Sequence, residues 1–237
     1  MEMGTPGRSR IMTGINGLDE MSMGGIPEGN QVLLAGAAGT GKTLLSFEML
    51  YRNAKLNVPG TFVSLEEGRD SIIQNAGGAF SYFDDIDDII HSSRILIQEQ
   101  TGISGFKSKE NWQSFLAGIN KIVQSNKSRL LVIDSISSLR ASEDDDRVFT
   151  RYVDLMTETF RNMGVTSIIT MESESPVSKD QTGLYGTFMF DGIIWLNQVD
   201  MNGSMQYLVR IVKMRKTAHR VESMPYEITP RGFNIFK

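Results

Sequence analysis

The chain of 237 residues contains no cysteine. That excludes disulfides and thiolate metal sites, and it fits a cytoplasmic protein or an organism that avoids thermolabile residues. No apolar run approaches the ~20 residues a membrane-spanning helix needs. The start, Met1-Glu2-Met3-Gly4-Thr5-Pro6-Gly7, lacks the basic-then-apolar order of a secretory signal, so the expectation is an intracellular protein with no membrane partner. A basic surplus is missing too. The net charge of −4 argues against a surface built chiefly for nucleic acid, although it leaves room for a local basic patch. The 40% hydrophobic and 22% charged residues are those of an ordinary folded chain. With no internal repeat, low-complexity tract or linker in view, the expectation is a single α/β domain over 1–237, residues 1–12 forming a polar lead.

What the chain does have is Gly36-Ala37-Ala38-Gly39-Thr40-Gly41-Lys42-Thr43, directly after the apolar run Gln31-Val32-Leu33-Leu34-Ala35. This is Gly-x-x-x-x-Gly-Lys-Ser/Thr between a strand and a helix. Glycines let backbone N–H groups turn inward around phosphates, and the helix start adds its positive dipole end. Lys42 then reaches the β- and γ-phosphates, and the Thr43 hydroxyl holds Mg²⁺. With glycine at about 7% of residues, chance yields the pattern in roughly one chain of this length in a hundred. The bland alternative, a glycine-rich turn capping a buried strand, yields to the strand pattern before the motif and the helical pattern after it. The expected ligand is a nucleoside triphosphate bound by Gly36, Ala38, Gly39, Thr40, Gly41, Lys42, Thr43 and Leu44.

Beyond the loop, helical patterns at Thr43–Leu56, Asp70–Ala79, 109–126 and Asp146–Met163 alternate with strand patterns at Thr61–Leu65, Ile95–Gln98, Arg129–Asp134 and Val165–Thr170. Such alternation implies right-handed crossovers and a twisted, mostly parallel sheet covered by helices on both faces. The rhythm then changes. Gly192–Val199, Gln206–Met214, Tyr226–Thr229 and Phe233–Phe236 follow one another without room for helices, and should be antiparallel strands extending one sheet edge.

Ligands of open parallel sheets sit beyond the carboxyl ends of the strands. Gly36, Glu66 and Asp134 all stand at such ends. Asp134 follows four apolar residues, as an Mg²⁺-linked acid does, although an Asp at a strand exit is commonly a helix cap and Ser135 is an equal candidate for that cap. Glu66-Glu67 offers a carboxylate to orient a water for in-line attack; the alternative is a solvated acidic loop start. Adjacent residues leaving a strand point in different directions, so at most one should reach the attacking water. In Lys213-Met214-Arg215-Lys216-Thr217-Ala218-His219, Lys213 and Arg215 share a face if the segment stays a strand. They are either charges guarding an edge strand or a cationic finger for phosphates, with a neighbouring subunit's phosphates among the candidates.

Taken together, these segments resemble the KaiC branch of the RecA-like ATPases from about Thr13 to Phe236. The likeness rests on Thr13-Gly14-Ile15 with Leu18-Asp19, Gly24-Gly25-Ile26-Pro27, the phosphate loop, Glu66-Glu67, Leu131-Val132-Ile133-Asp134-Ser135, Lys213-Met214-Arg215 and the ending Tyr226-Glu227-Ile228-Thr229-Pro230-Arg231-Gly232-Phe233. The resemblance implies an ATPase that forms rings, usually hexameric, with ATP held between subunits. Lys42 and Thr43 would bind ATP and Mg²⁺, with Asp134 on the metal. Glu66 and Glu67 would be the catalytic carboxylates, assisted by Lys42. Lys213 and Arg215 would touch the γ-phosphate of the adjacent subunit's ATP, and Thr217 and His219 would lie near its sugar and base. The chain departs from the family's clock protein in having one ATPase domain and one hydroxyl, Thr187, where that protein carries an autophosphorylated Ser-Thr pair. A base-adjacent position falls on Gly78.

The resulting expectation is a Mg²⁺-dependent ATPase serving as a regulatory or signalling module, with an unidentified protein partner. Two alternatives stand beside it, a RadA-like recombinase paralogue on single-stranded DNA and an autokinase acting at Thr187; an inactive nucleotide-sensing scaffold is a third. Against DNA, the first channel loop would carry Glu143-Asp144-Asp145-Asp146. The second, about Glu172 to Gly186, offsets Lys179 with Glu172, Glu174 and Asp180. The acidic run Asp84-Asp85-Ile86-Asp87-Asp88 reads as a solvated loop rather than a partner site.

Overall fold

The computed structural model describes residues 9–100, 108–141, 143, 145–174, 187–201 and 203–236. Their elements, in chain order, are β1 (Arg10–Ile11), α1 (Leu18–Met21), β2 (Ile26–Pro27), β3 (Gln31–Gly36), α2 (Lys42–Lys55), β4 (Gly60–Ser64), α3 (Arg69–Ala79), α4 (Ile86–His91) and β5 (Ile95–Glu99). Then follow α5 (Lys109–Asn126), β6 (Leu130–Asp134), α6 (Ile136–Ala141), α7 (Asp146–Asn162), β7 (Thr166–Glu172), a 3-10 turn (Thr187–Met189), β8 (Gly192–Met201), β9 (Ser204–Met214), β10 (Met224–Thr229) and β11 (Gly232–Ile235).

A nine-stranded sheet runs β11-β10-β9-β8-β3-β7-β6-β4-β5. From β8 to β5 neighbouring strands are parallel; β8 with β9, β9 with β10 and β10 with β11 are antiparallel. The α/β architecture with a mostly parallel sheet and antiparallel C-terminal strands is therefore the one expected. The period of two divides each central strand between two cores. Val32, Leu34, Leu130, Val132 and Ile168 pack with Phe47, Leu50, Phe62 and Phe83 beneath α2 to α4. Leu33, Ala35, Leu131, Ile133 and Ile169 pack with Trp112, Tyr152, Met156 and Phe160 beneath α5 and α7. Burial on both faces explains why these strands read as continuous apolar runs.

Local chemistry sets the helix starts. Ser108 Oγ accepts from Asn111 N at the head of α5, and Asp145 accepts from Arg147 N and Val148 N at the head of α7. The acidic run at 84–88 is less idle than its sequence implied. Asp85 precedes α4 and accepts from Tyr51 and Lys55, which hold its carboxyl below its ordinary value. Ahead of the sheet, Asp19 accepts from Thr13 N, Thr13 Oγ1 and Gly14 N at 2.7, 2.8 and 2.9 Å. The Thr13-Gly14-Ile15/Leu18-Asp19 signature is thus a hydrogen-bonded knot that shapes the entry segment. Among the described residues, no helix is long and apolar enough to cross a membrane.

Candidate functional site

One edge of the parallel sheet gathers the strand exits in the order β3, β7, β6, β4. Register makes them close neighbours. Gly36 pairs with Glu172, Ile133 with Ile169, and Ser64 with Asp134. Four exits from distant parts of the chain therefore meet over one short arc.

The loop from Gly36 to Gly41 bends back into α2. A Cβ on Gly36 would stand 2.5 Å from the Leu196 carbonyl oxygen and 2.8 Å from Thr40 Oγ1, so only glycine fits there. Gly41 caps α2 in the left-handed region, with φ of 86°. The Lys42 ammonium donates to Gly36 O at 3.0 Å and Ala37 O at 2.9 Å, folding over the loop it belongs to. Burial lowers its pKa, opposed by Glu172, Asp134 and Glu66 around it. Thr43 Oγ1 donates to Asp134 Oδ2 at 2.9 Å, and Thr170 Oγ1 donates to Asp134 Oδ1. Asp134 is almost fully buried, and desolvation pushes its carboxyl up against the opposing effect of those two hydroxyls. The ambiguity over which residue caps α6 resolves cleanly. Ser135 Oγ accepts from Ser137 N at 3.0 Å, leaving Asp134 to face Thr43.

The two glutamates diverge. Glu67 is tied to α3, its Oε2 accepting from Ser71 Oγ at 2.7 Å and Asn75 Nδ2 at 2.9 Å. Glu66 instead shares a hydrogen bond with Ser135 and lies within the field of Asp134, Glu172 and Lys42. Desolvation raises its carboxyl, the Ser135 hydrogen bond opposes that, and the neighbouring carboxylates add to it. Of the pair, Glu66 is the one that acts on Lys42, while the Glu67 charge reaches Asp134 and helps to raise its carboxyl.

The cationic segment lies elsewhere. Because β8 runs parallel to β3 and β9 returns antiparallel, Met214 pairs with Gly192, which pairs with Val32. Four residues at ~3.3 Å separate Val32 from Gly36, so Lys213 and Arg215 sit roughly 13 Å from the phosphate-loop edge along the strands. The expected shared strand face is modified. The β8–β9 register shifts between Ile193 and Ile194, β9 ends at Met214, and Arg215 falls in the following turn. Both cations still converge on one segment. Lys213 Nζ donates to Phe190 O at 2.7 Å, Arg215 Nη2 to Phe188 O at 3.1 Å, and Asp191 pairs with Arg215 at 3.6 Å and Arg161 at 3.3 Å. Burial and the Arg215 guanidinium lower the Lys213 ammonium, Asp191 opposing. Thr217 Oγ1 accepts from Arg10 at 2.8 Å, and His219 Nδ1 lies 2.9 Å from Arg220 O. Within one chain these four residues do not meet the phosphate loop.

Gly78 lies on the exposed face of α3, where an added Cβ would meet nothing within 4 Å. Thr187 opens the 3-10 turn, its side chain outside the described residues, as are Asp144 and residues 175–186 with Lys179 and Asp180.

The family signature fits this geometry. Residues 11–237 match the KaiC ATPase family. The chain belongs to that family. It is 32% identical to a circadian clock oscillator protein KaiC of Rippkaea orientalis, over 98% of this chain but 45% of that protein. It therefore spans about half the length of the clock relatives it matches. A UPF0273 protein of Pyrococcus horikoshii is 29% identical over 96% of this chain and 94% of its own length. The crystal structure of a KaiC-like protein from Pyrococcus horikoshii OT3 superposes with a TM-score of 0.84 at 32% identity, covering 98% of this chain and all of that one. The P-loop nucleotide-binding fold of this KaiC-like chain is thus common to single-domain relatives of matching length.

Sequence reasoning overlooked Thr170, Glu172 and Ser135 as members of the site. Glu172 closes β7, so the strand-exit rule that selected Gly36, Glu66 and Asp134 extends to it, whereas Thr170 joins the site through the register of β7 beside β6.

Proposed function

We propose that this chain is a single-domain, Mg²⁺-dependent ATP hydrolase that assembles as a hexameric ring and acts in the cytoplasm as a regulatory or signalling module. The observation that carries the reading is the convergence of Lys42, the Thr43–Asp134 pair and Glu66 on one sheet edge. A phosphate chain seated there takes the N–H groups of the loop and the first turn of α2. The Lys42 ammonium exchanges carbonyl partners for phosphate oxygens, and the three carboxylates around it favour its charged form against burial.

The donor set at Thr43 and Asp134 suits Mg²⁺: one hydroxyl and one carboxylate oxygen 2.9 Å apart, both hard oxygen, would hold the ion. When bound, the ion neutralises phosphate charge. Thr170 holds the second Asp134 oxygen, which fixes the carboxylate plane. Glu66 orients the attacking water and accepts its proton, and Ser135 steers that carboxylate. Glu67 is the positioning member of the pair, held along α3 by Ser71 and Asn75.

Lys213 and Arg215 act on the ATP of the adjacent subunit, with Thr217 and His219 beside its sugar and base. Their place at the far edge of the sheet supports this, since a head-to-tail contact brings that edge of one copy to the phosphate-loop edge of the next. Mass by light scattering with and without Mg-ATP, coupled to phosphate release, tests the whole reading. The expected outcome is a ring that releases phosphate; a monomer under every condition removes the intersubunit roles, and absent turnover with tight ATP binding removes hydrolysis.

A further inference from the structure

The phosphate loop has a second side, turned toward the C-terminal hairpin of β10 and β11. Tyr226 Oη donates to the carbonyl oxygen of Thr40 at 2.6 Å, a buried contact that spans 186 residues. Next to it, a Cβ on Gly41 would lie 2.7 Å from Ile228 Cδ1 and 2.8 Å from Phe233 Cζ, so the hairpin touches the loop at the residue that caps α2. Phe233 stacks on Tyr226 with ring centroids 5.6 Å apart. The Phe233 N–H donates to Glu48 Oε2 at 2.9 Å, which fastens the hairpin to α2 two turns further on. Tyr226 is buried, which raises its pKa and keeps its hydroxyl a donor.

A trans peptide is planar, with its C=O and N–H pointing in opposite directions. Pinning the Thr40 carbonyl toward Tyr226 therefore aims the Gly41 N–H away from the hairpin, toward the mouth of the loop. Glycine at 41 has the freedom to rotate this peptide, so something outside the loop has to hold it. We infer that Tyr226 is a positioning residue for the phosphates: its hydroxyl sets the Thr40–Gly41 peptide plane so that Gly41 N–H is presented to the bound nucleotide. The inference rests on the nucleotide reading above and adds a residue that contacts no ligand.

The test is calorimetric binding of Mg-ADP to the full chain, with melting of the nucleotide-free protein alongside. Tyr226→Phe removes one oxygen and leaves the ring stack. The expected loss is roughly 3- to 10-fold in ADP affinity, the worth of one orienting hydrogen bond. Ile228→Val trims the packing on Gly41 without touching the hydroxyl; it should lower the melting temperature yet keep the affinity. In turnover, Tyr226→Phe should raise KM for ATP more than it lowers kcat. Wild-type affinity in Tyr226→Phe overturns the inference, as does an affinity loss in both variants that tracks their loss of stability. If the wild-type chain binds no Mg-ADP, the nucleotide reading fails and this inference with it; if it binds and Tyr226→Phe binds equally well, only the inference fails.

Discussion

The two edges of the parallel sheet do different work with different materials. At the phosphate-loop edge, the polar groups are short and internally engaged: Thr43 and Thr170 on Asp134, Ser135 with Glu66, Lys42 on its own loop. At the opposite edge, long cations reach out from β9 and the turn after it, and rest on the carbonyls of Phe188 and Phe190. The first edge is preorganised by backbone and burial, so that a phosphate chain seated there asks only the Lys42 ammonium to change partners. The second offers cations held on backbone carbonyls and Asp191, with about half of Arg215 exposed. On the proposed reading, the carboxylate that orients water stands at one edge and the cations that balance phosphoryl charge stand at the other. The comparison predicts that lesions at the two edges differ in kind, and that each complements the other.

The largest effect should come from the first edge. Glu66→Gln with Glu67→Gln should keep ATP binding yet lower turnover by about 10³-fold, the scale of a missing general base. Normal phosphate release by the double variant would remove the carboxylates from the chemistry. Glu66→Gln alone should account for most of the loss, because Glu67 is occupied by Ser71 and Asn75.

Arg215→Ala should come next, with kcat down by about 10²-fold and little change in ATP affinity. The sharper experiment mixes this variant with Glu66→Gln under conditions of subunit exchange. Each variant is intact at the edge where the other is broken, so random mixing restores about a quarter of the composite sites. Recovery of phosphate release would link the two edges across subunits. A mixture no more active than its parts would mean that the two edges do not meet across subunits.

Much of the first edge was legible in the sequence, and little of the second. Central strands buried on both faces are apolar throughout, so β3, β4, β6 and β7 announce themselves and their exits select Gly36, Glu66 and Asp134. Lys213 and Arg215 do converge on one segment, but the bulge near Ile193/Ile194 and the end of β9 at Met214, which place them, are tertiary outcomes. Thr170 looked like one more strand residue; only the register that puts β7 beside β6 gives its hydroxyl to Asp134. The bond from Tyr226 to Thr40 is legible from neither end, since nothing local in either segment asks for a partner so far along the chain.

A smaller effect separates function from stability at the first edge. Burial raises the Asp134 carboxyl above its ordinary value of 3.8. A carboxyl whose folded pKa is raised binds its proton more tightly when folded, so its ionisation costs stability as pH rises through that window. Asp134→Asn should therefore raise the Tm of the nucleotide-free protein at neutral pH by about 2–4 °C, the shift expected for ~1 kcal/mol in a chain of this size. The gain should shrink as pH falls into the carboxylate range, where the wild-type group is protonated too. The same variant should lose Mg²⁺-dependent ATP binding. An unchanged or lower Tm at every pH would mean that the Thr43 and Thr170 hydrogen bonds outweigh desolvation.

The smallest effect is a displacement of the pH profile. Glu66 serves as a base only when ionised, and burial lifts its carboxyl above the ordinary 4.5, so kcat/KM should fall on acidification at a pH above that value. Ser135 opposes the lift through its hydrogen bond to Glu66. Ser135→Ala should therefore move the acid limb to higher pH while leaving the activity plateau nearly intact. Because Ser135 Oγ also accepts from Ser137 N, the variant should melt slightly earlier as α6 loses its cap. A loss of cap alone lowers Tm and leaves the acid limb where it was. Movement of the limb is therefore the readout that joins Ser135 to Glu66, and an unmoved limb would assign Ser135 to the helix only.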